Sequence, residues 1–159
     1  MKSQTKFALI LAGMALAIPQ SILAKGVDAK LWDGTWHLNA AKSKFATGAK
    51  ERSETRTYQV SGDRITMKSS SKDSAGKVMD FTYTATFDGK WSPMNGNPNA
   101  DSISVKGMSA REIKASSRLH GKPAVESTAT ISSDGKHLTL TRKMIAMKGA
   151  PTDVLEFDR

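Results

Sequence analysis

The segment MDFTYTATFDG, residues 79–89, decides the fold of this chain because apolar and polar side chains alternate along it. The apolar set is Met79, Phe81, Tyr83, Ala85 and Phe87, and the polar set between them is Asp80, Thr82, Thr84 and Thr86. A period of two places these sets on opposite faces of a strand, and threonine and aromatic residues favour strands. Asp88-Gly89 is typical of a tight hairpin turn. The segment therefore predicts a half-buried strand that ends in a hairpin.

The same alternation recurs on both sides of this segment and predicts about ten strands in all. The clearest of the others are 35–38, 56–60, 65–67, 103–105, 113–119, 125–131, 138–142 and 153–157. Short turns separate them, so neighbours in sequence should pair antiparallel in a meander. An open sheet would need a helical layer that the sequence does not supply, whereas a closed barrel has no free edges. We therefore expect an all-β, up-and-down barrel in which Asp153–Phe157 pairs with Thr35–Leu38.

The polar connections between the strands carry two further predictions. Asn39–Ala49 is helix-like, because Asn39 can cap a helix and Gly48 can end it, and it would lie between the first two strands. Ser69–Lys77 is polar throughout, and Ser92–Asp101 is rich in Asn, Gly and Pro. Both segments are predicted to be loops at the ends of the barrel.

Residues 1–24 have the order of regions that is typical of a cleavable signal peptide. Lys2 and Lys6 precede the apolar run FALILAGMALAI, residues 7–18, and small residues follow it up to Ala24. The run has about 12 residues, whereas a membrane-spanning helix needs roughly 20. Cleavage after Ala24, or secondarily at Ala29, would leave one domain, residues 25–159, in the periplasm or the medium. An uncleaved N-terminal anchor is the alternative.

The composition narrows the classes of partner. The chain has no cysteine, so it has neither disulfides nor the lipid-carrying cysteine of bacterial lipoproteins. It is basic, with a formal charge of +9, which makes an anionic component of the cell envelope a candidate partner. Its basic residues are dispersed among acidic ones and form no dense block, so the sequence gives little support for nucleic-acid binding. No membrane span is expected, and the oligomeric state stays open.

The sequence also resembles a known group of proteins. Gly34-Thr35-Trp36 is similar to the G-x-W signature that opens the first strand of lipocalins. The segments DGTWHLN (33–39), AKSKF (41–45), YTA (83–85), FDGK (87–90), GNP (96–98) and AD (100–101) extend this likeness over most of the residues after 24. They resemble a family of small exported bacterial lipocalin-like proteins. The resemblance implies a calycin-type barrel and no assigned reaction, so it bears on fold more than on function.

The resemblance also implies structural roles for three residues. Gly34 and Trp36 would open the first strand, and an arginine late in the barrel would lie over the tryptophan. Arg142 is the candidate for this cation–π contact, because it follows Leu138 and Leu140 on one face of a strand. The alternative is an ordinary surface arginine at the end of that strand.

No catalytic or metal-binding motif stands out. His37, His120 and His137 lack the spacing of metal ligands, and no serine lies in a nucleophile motif. Most of the acidic residues fall in turns, where their side chains stabilise turn geometry, so they do not form a pair of catalytic carboxylates. We therefore expect no metal, no cofactor and no enzymatic reaction. An enzyme that uses the barrel mouth would rest on analogy of fold alone.

The barrel interior is then the candidate site, because small barrels either fill with side chains or hold one small ligand. The predicted ligand-binding residues are Arg56, Tyr58, Met67, Met79, Phe81 and Tyr83. A buried arginine needs a partner, so Arg56 would bind a ligand carboxylate or phosphate, or else it would lie at the rim and pair with Glu54. We expect an exported binding protein for a small apolar or amphipathic ligand. The alternative is a non-enzymatic envelope protein, such as an inhibitor, that binds other proteins through Ser69–Lys77 and Ser92–Asp101.

Overall fold

The computed structural model describes residues 26–46 and 53–159, and ten antiparallel strands form a closed barrel in chain order. The strands are β1 (Gly34–Leu38), β2 (Ser53–Ser61), β3 (Arg64–Lys72), β4 (Val78–Thr86), β5 (Asp88–Asn95), β6 (Ser102–Ser109), β7 (Glu112–Leu119), β8 (Lys122–Ile131), β9 (His137–Lys143) and β10 (Thr152–Asp158). β10 closes the ring on β1, with Leu38 opposite Phe157. The predicted all-β meander and its closure are confirmed. The predicted signal peptide, residues 1–24, lies outside the described residues.

The alternation that predicted the strands also sets which side chains point inward. In β2, Glu54, Arg56 and Tyr58 are buried while Gln59 is exposed, and β3 continues the layer with Met67 opposite Tyr58. Across the next pair, Met67 lies opposite Tyr83 of β4. The inward rows of neighbouring strands therefore form continuous bands around the interior.

One short helix, α1 (Ala29–Trp32), lies before β1 rather than between β1 and β2. Of the predicted helix Asn39–Ala49, residues 47–49 lie outside the described residues, and the rest forms a turn followed by a β-bridge. Lys44 exchanges two backbone hydrogen bonds with Val154 of β10, of 2.7 and 2.9 Å. The edge of β10 thus provides partners that a short isolated helix would lack. Within the described ranges, no helix has the length and apolar character to cross a membrane.

Helix α1 closes one end of the barrel, which we call the base. The Asp28 side chain caps the helix by accepting from the Lys30 backbone N–H at 3.0 Å. The Trp32 indole donates to the carbonyl of Ala110, in the turn between β6 and β7, at 3.1 Å. Its ring packs edge-on against Tyr58, with 5.6 Å between centroids. The Trp36 indole donates back to the Trp32 carbonyl at 3.4 Å, so two buried tryptophans seal the base.

An arginine does lie over Trp36, but it is Arg159 and not Arg142. The Arg159 guanidinium carbon is 4.3 Å from the Trp36 ring centroid. Arg159 also donates to the carbonyls of Gly135, at 2.7 Å, and Asp33, at 3.1 Å. Gly34 lies beside it with φ of +125°, a conformation that favours glycine, which accounts for the glycine of the signature.

The end opposite the base, the mouth, carries the turns after β3, β5, β7 and β9. Two predicted loops are shorter than expected there. β3 extends to Lys72, so only the second half of Ser69–Lys77 is a loop, and β5 extends to Asn95, so it includes the start of Ser92–Asp101. The sequence predicts Ser69 and Ser71 to lie in a polar loop. Ser69 and Ser71 are instead buried, because they continue the inward row of β3.

Candidate ligand-binding site

A cavity of about 290 Å³ lies in the mouth half of the barrel. All six residues predicted to bind a ligand line it: Arg56, Tyr58, Met67, Met79, Phe81 and Tyr83. Strand parity places all six inside the barrel, because it fixes which side chains of a strand face inward. That they bind a ligand stays a prediction. The cavity is thus built on strands β2, β3 and β4, whose positions are set by long regular ladders.

One side of the cavity, the apolar wall, is formed mainly by β4 to β6. Met79, Phe81 and Tyr83 follow one another along β4, and Met94 and Ile103 continue the surface on β5 and β6. Burial raises the pKa of Tyr83 well above its ordinary value, and the neighbouring Tyr58 raises it further. Tyr83 is therefore a neutral phenol at any physiological pH, and the wall carries no charge.

The opposite side, the polar wall, begins with a buried ion pair on β2. Arg56 Nε lies 2.8 Å from Glu54 Oε1, and Ser69 donates to the same oxygen at 2.9 Å. The Arg56 guanidinium also lies over Phe157, at 5.4 Å. Arg56 does pair with Glu54, as the rim alternative predicted, but the pair is inside the barrel and not at its rim.

The charges of this pair support one another. Burial alone would raise the pKa of Glu54, but Arg56, Arg142 and the Ser69 hydroxyl together hold that pKa below its ordinary value. Burial likewise opposes the charge of Arg56, yet Glu54 and Tyr58 raise the pKa of Arg56 above its ordinary value. Both groups are therefore ionised at neutral pH.

A second ion pair, Arg142 with Asp153, completes the polar wall. Arg142 Nη2 donates to Asp153 Oδ2 at 2.8 Å, and Asp153 Oδ1 accepts from the Ala46 backbone N–H at 2.9 Å. Asp153 is fully buried, whereas the Arg142 side chain keeps 16 % of its surface and lines the cavity. Arg142 is thus neither the partner of Trp36 nor a plain surface arginine.

Among the described residues, Arg142 has fewer hydrogen-bond acceptors than it has N–H donors. Within the described residues, its Nε is the one buried side-chain nitrogen or oxygen that has no partner. Burial, followed by the positive charge of Arg56, lowers the pKa of Arg142, although Asp153 opposes that shift. A guanidinium offers five N–H donors, so one ion pair leaves capacity for a further acceptor.

The sequence analysis named Glu54 as a partner of Arg56 at the rim only, and it missed Asp153 and the position of Arg142 in the cavity, although a signal was available. Glu54 shares strand parity with Arg56 and Tyr58, and Asp153 shares parity with Leu155 and Phe157. A charged residue at an inward position of an alternating strand indicates a buried ion pair when a second strand supplies the opposite charge.

The mouth is bordered by two connections. Asn97 and Asn99, between β5 and β6, line the cavity, and so do Met144 and Met147, between β9 and β10. The second connection is held to β8 by a hydrogen bond from the Ala146 N–H to the Ala124 carbonyl, at 3.1 Å. Flexible methionines at an opening suit contacts with apolar groups of varied shape.

The apolar and polar walls provide surfaces that can bind a small molecule. Across residues 26–46 and 53–159, no cluster of three or more His, Asp or Glu side chains could hold a metal ion. Comparison with known proteins finds no matching family model and no significant match among curated proteins. The closed ten-stranded barrel is consistent with the lipocalin-like resemblance, and it establishes an architecture without assigning a family.

Proposed function

We propose that this protein is an exported carrier that holds one small apolar or amphipathic molecule in its barrel. The observation that carries the proposal is the cavity of about 290 Å³ between an apolar and a polar wall. Cavities that bind small molecules commonly measure about 300–1,000 Å³, so this one lies near the lower limit of that range and favours a small ligand. We therefore test it with probes of about ten non-hydrogen atoms.

The order of strands supports the amphipathic character of the ligand. β4 and β9 are five places apart in the ring of ten, so the apolar row of β4 faces Arg142 across the interior. A ligand that spans the barrel therefore contacts methionine and aromatic side chains on one side and charged groups on the other. Export, through the signal peptide predicted in residues 1–24, would place the carrier in the periplasm or the medium.

A cavity-filling substitution tests the proposal. Ala115 lines the cavity from β7, so Ala115→Phe would occupy the space with little change to the barrel wall. Thr141→Phe adds the same ring to an exposed position on β9 and is the matched control. Propylbenzene and 1-octanol, both of about ten non-hydrogen atoms, are titrated by isothermal calorimetry. We expect both probes to bind the wild type and Thr141→Phe, and to bind Ala115→Phe at least tenfold more weakly.

Native mass spectrometry of the protein, purified after export from cells that carry its own leader, supplies the second readout. A single small molecule at near-equal stoichiometry would support the carrier function and define the ligand chemically. Absence of any bound molecule, together with no binding of either probe to the wild type, would overturn it.

The alternative, a module that binds another protein at the mouth, is favoured by a second concavity of about 520 Å³ beside the cavity. Asp73, Lys77 and Val78 border it on one side, and Pro98 and Asn99 on the other. Val78 is among the large apolar side chains that are exposed. If Lys77→Ala/Val78→Ala abolishes capture of a defined envelope protein that Ala115→Phe still captures, this second function is the correct one.

A further inference from the structure

We propose that the ligand's head group is a neutral oxygen acceptor, such as a ketone or amide carbonyl, which binds the guanidinium of Arg142. This inference rests on the proposed carrier function and deepens it by naming the class of ligand. It differs from the sequence-based prediction, in which Arg56 would bind a carboxylate or phosphate.

Among the residues that the structure describes, the charged side chains of the polar wall form two balanced pairs. Glu54 and Arg56 form one pair, with 2.8 Å between the charged groups, and Arg142 and Asp153 form the other, also at 2.8 Å. A ligand carboxylate would add an uncompensated negative charge to this buried group. It would also share the Arg142 guanidinium with the Asp153 carboxylate, and two like charges so close in a partly dry site repel strongly.

Hydrogen-bond donors, in contrast, are in excess. Among the described residues, the hydrogen bond that Arg142 donates runs from Nη2 to Asp153. Nε is buried and has no acceptor, so the donors left for a ligand in the cavity are the remaining hydrogens of the two Nη groups. The remaining exposed surface of this side chain borders the cavity. A carbonyl oxygen satisfies a guanidinium N–H without adding charge, and a hydrogen bond to a charged donor is stronger than one between neutral groups. An ammonium head group offers no acceptor and would be repelled.

The opposite wall fixes where the rest of the ligand lies. With an oxygen at Arg142 on β9, an alkyl chain extends across the interior toward Met79 and Phe81 of β4. This wall consists of thioether and aromatic groups, and Tyr83 stays uncharged. The site therefore distinguishes ligands at the head group and accepts varied tails.

A matched series of probes tests the inference in wild-type protein. The probes are 2-nonanone, sodium octanoate, octylamine and propylbenzene, all of similar size, titrated by calorimetry at pH 7. We expect 2-nonanone to bind at least tenfold more tightly than octanoate, and octylamine to bind most weakly. Tightest binding of octanoate would overturn the neutral head group and leave the carrier function standing. Absence of binding by propylbenzene and 2-nonanone would overturn the carrier function itself.

A paired variant locates the head group. Arg142→Gln alone would leave the buried Asp153 without its counter-charge, so Arg142→Gln/Asp153→Asn replaces both members by neutral groups of similar size. We expect this variant to bind 2-nonanone about tenfold more weakly, by the loss of a hydrogen bond to a charged donor, and to bind propylbenzene as the wild type does. Lys143→Gln removes a charge from the exposed neighbour and should change neither affinity. Equal affinity of the paired variant and the wild type for 2-nonanone would show that the head group does not bind at Arg142.

Discussion

Of the arginines that lie over aromatic rings in this barrel, one at the base and one in the cavity half differ in their remaining partners. Arg159 lies 4.3 Å from the Trp36 ring and donates to two backbone carbonyls. Arg56 lies 5.4 Å from the Phe157 ring and pairs with the Glu54 carboxylate. At the base, the hydrogen-bond partners are backbone carbonyls, which every residue has. In the cavity half, each charge depends on another side chain.

This difference indicates that the base contributes mainly to stability and the cavity half mainly to binding. The base buries two tryptophans against α1 and Tyr58, and burial of large apolar side chains is the main source of folding free energy. The cavity half keeps open volume and buries ion pairs, whose desolvation offsets much of their attraction. We therefore expect substitutions at the base to change the free energy of unfolding and to leave affinity unchanged. Substitutions in the cavity half should change affinity, and they should change stability as well where they leave one charge of a buried pair without its partner.

The largest expected effect comes from Trp36→Ala at the base. Removal of a fully buried indole should lower the free energy of unfolding by about 4 kcal/mol. The matched control is Trp91→Ala, because Trp91 is 41 % exposed on the outer surface and contacts Arg118. That control should lose about 1 kcal/mol, mostly the cation–π contact. Urea denaturation followed by circular dichroism measures both, and equal losses would contradict a base that stabilises the fold.

The next largest effect is expected for Glu54→Gln in the polar wall. The substitution leaves Arg56 buried without a carboxylate, so we expect a loss of about 3 kcal/mol at pH 7. Glu54→Gln/Arg56→Gln removes both charges and should recover part of that loss. A double variant less stable than the single one would show that the pair is not the reason for the loss.

The pH dependence of Glu54→Gln follows from the pKa of Glu54. That pKa is lower in the folded protein than its ordinary value of 4.5, so the ionised carboxylate stabilises the fold at every pH above about that value. The stabilisation disappears as the pH falls through the lower folded value. The difference in unfolding free energy between wild type and Glu54→Gln should therefore narrow on going from pH 7 to pH 3. A difference that is independent of pH would contradict this assignment.

The glycines of the turns give an intermediate effect and compare the mouth with the base. Gly96 at the mouth has φ of +85°, and a Cβ there would overlap the carbonyl oxygen of Asp80. Gly62 at the base has φ of +59° and open space around it. We expect Gly62→Ala to lose about 1 kcal/mol from backbone strain alone, and Gly96→Ala to lose about 2 kcal/mol. Gly96→Ala should also weaken binding of 2-nonanone, since Asn97 and Asn99 line the cavity.

Strand periodicity explains why so much of the site could be predicted. Once residues 79–87 are assigned to a strand, the parity of Met79, Phe81 and Tyr83 places all three inside, and the ladder carries this row to Met67 and Tyr58. The same rule would have placed Ser69 and Ser71 inside. Their polarity instead favours an exposed position. In the structure, hydrogen bonds to Glu54 and to the Met79 carbonyl compensate for the burial of the two hydroxyl groups.

Contacts between distant segments account for what the sequence did not reveal. Helix α1 has four residues and is held by the turn between β6 and β7, through the bond from Trp32 to Ala110. Asp28 is a favourable N-cap, but a helix of four residues is too short to be predicted from local propensity. The choice between Arg142 and Arg159 as the partner of Trp36 depends on which end of the barrel each arginine reaches, which is a property of the closed ring.

The smallest expected effect, Arg159→Ala, is the sharpest test of the division between base and cavity half. The substitution removes the contact with Trp36 and the two hydrogen bonds to backbone carbonyls, so we expect a loss of about 1 kcal/mol. Because Arg159 lies at the end opposite the mouth, the affinity for 2-nonanone should stay within twofold of the wild type. Arg142→Gln/Asp153→Asn, measured beside it, should bind 2-nonanone more weakly than the wild type does. Its loss of stability should be smaller than the loss caused by removing either ion-pair partner alone. If Arg159→Ala weakened binding as much as the paired variant does, the base would be shaping the cavity, and the two halves would have to be treated as one coupled unit.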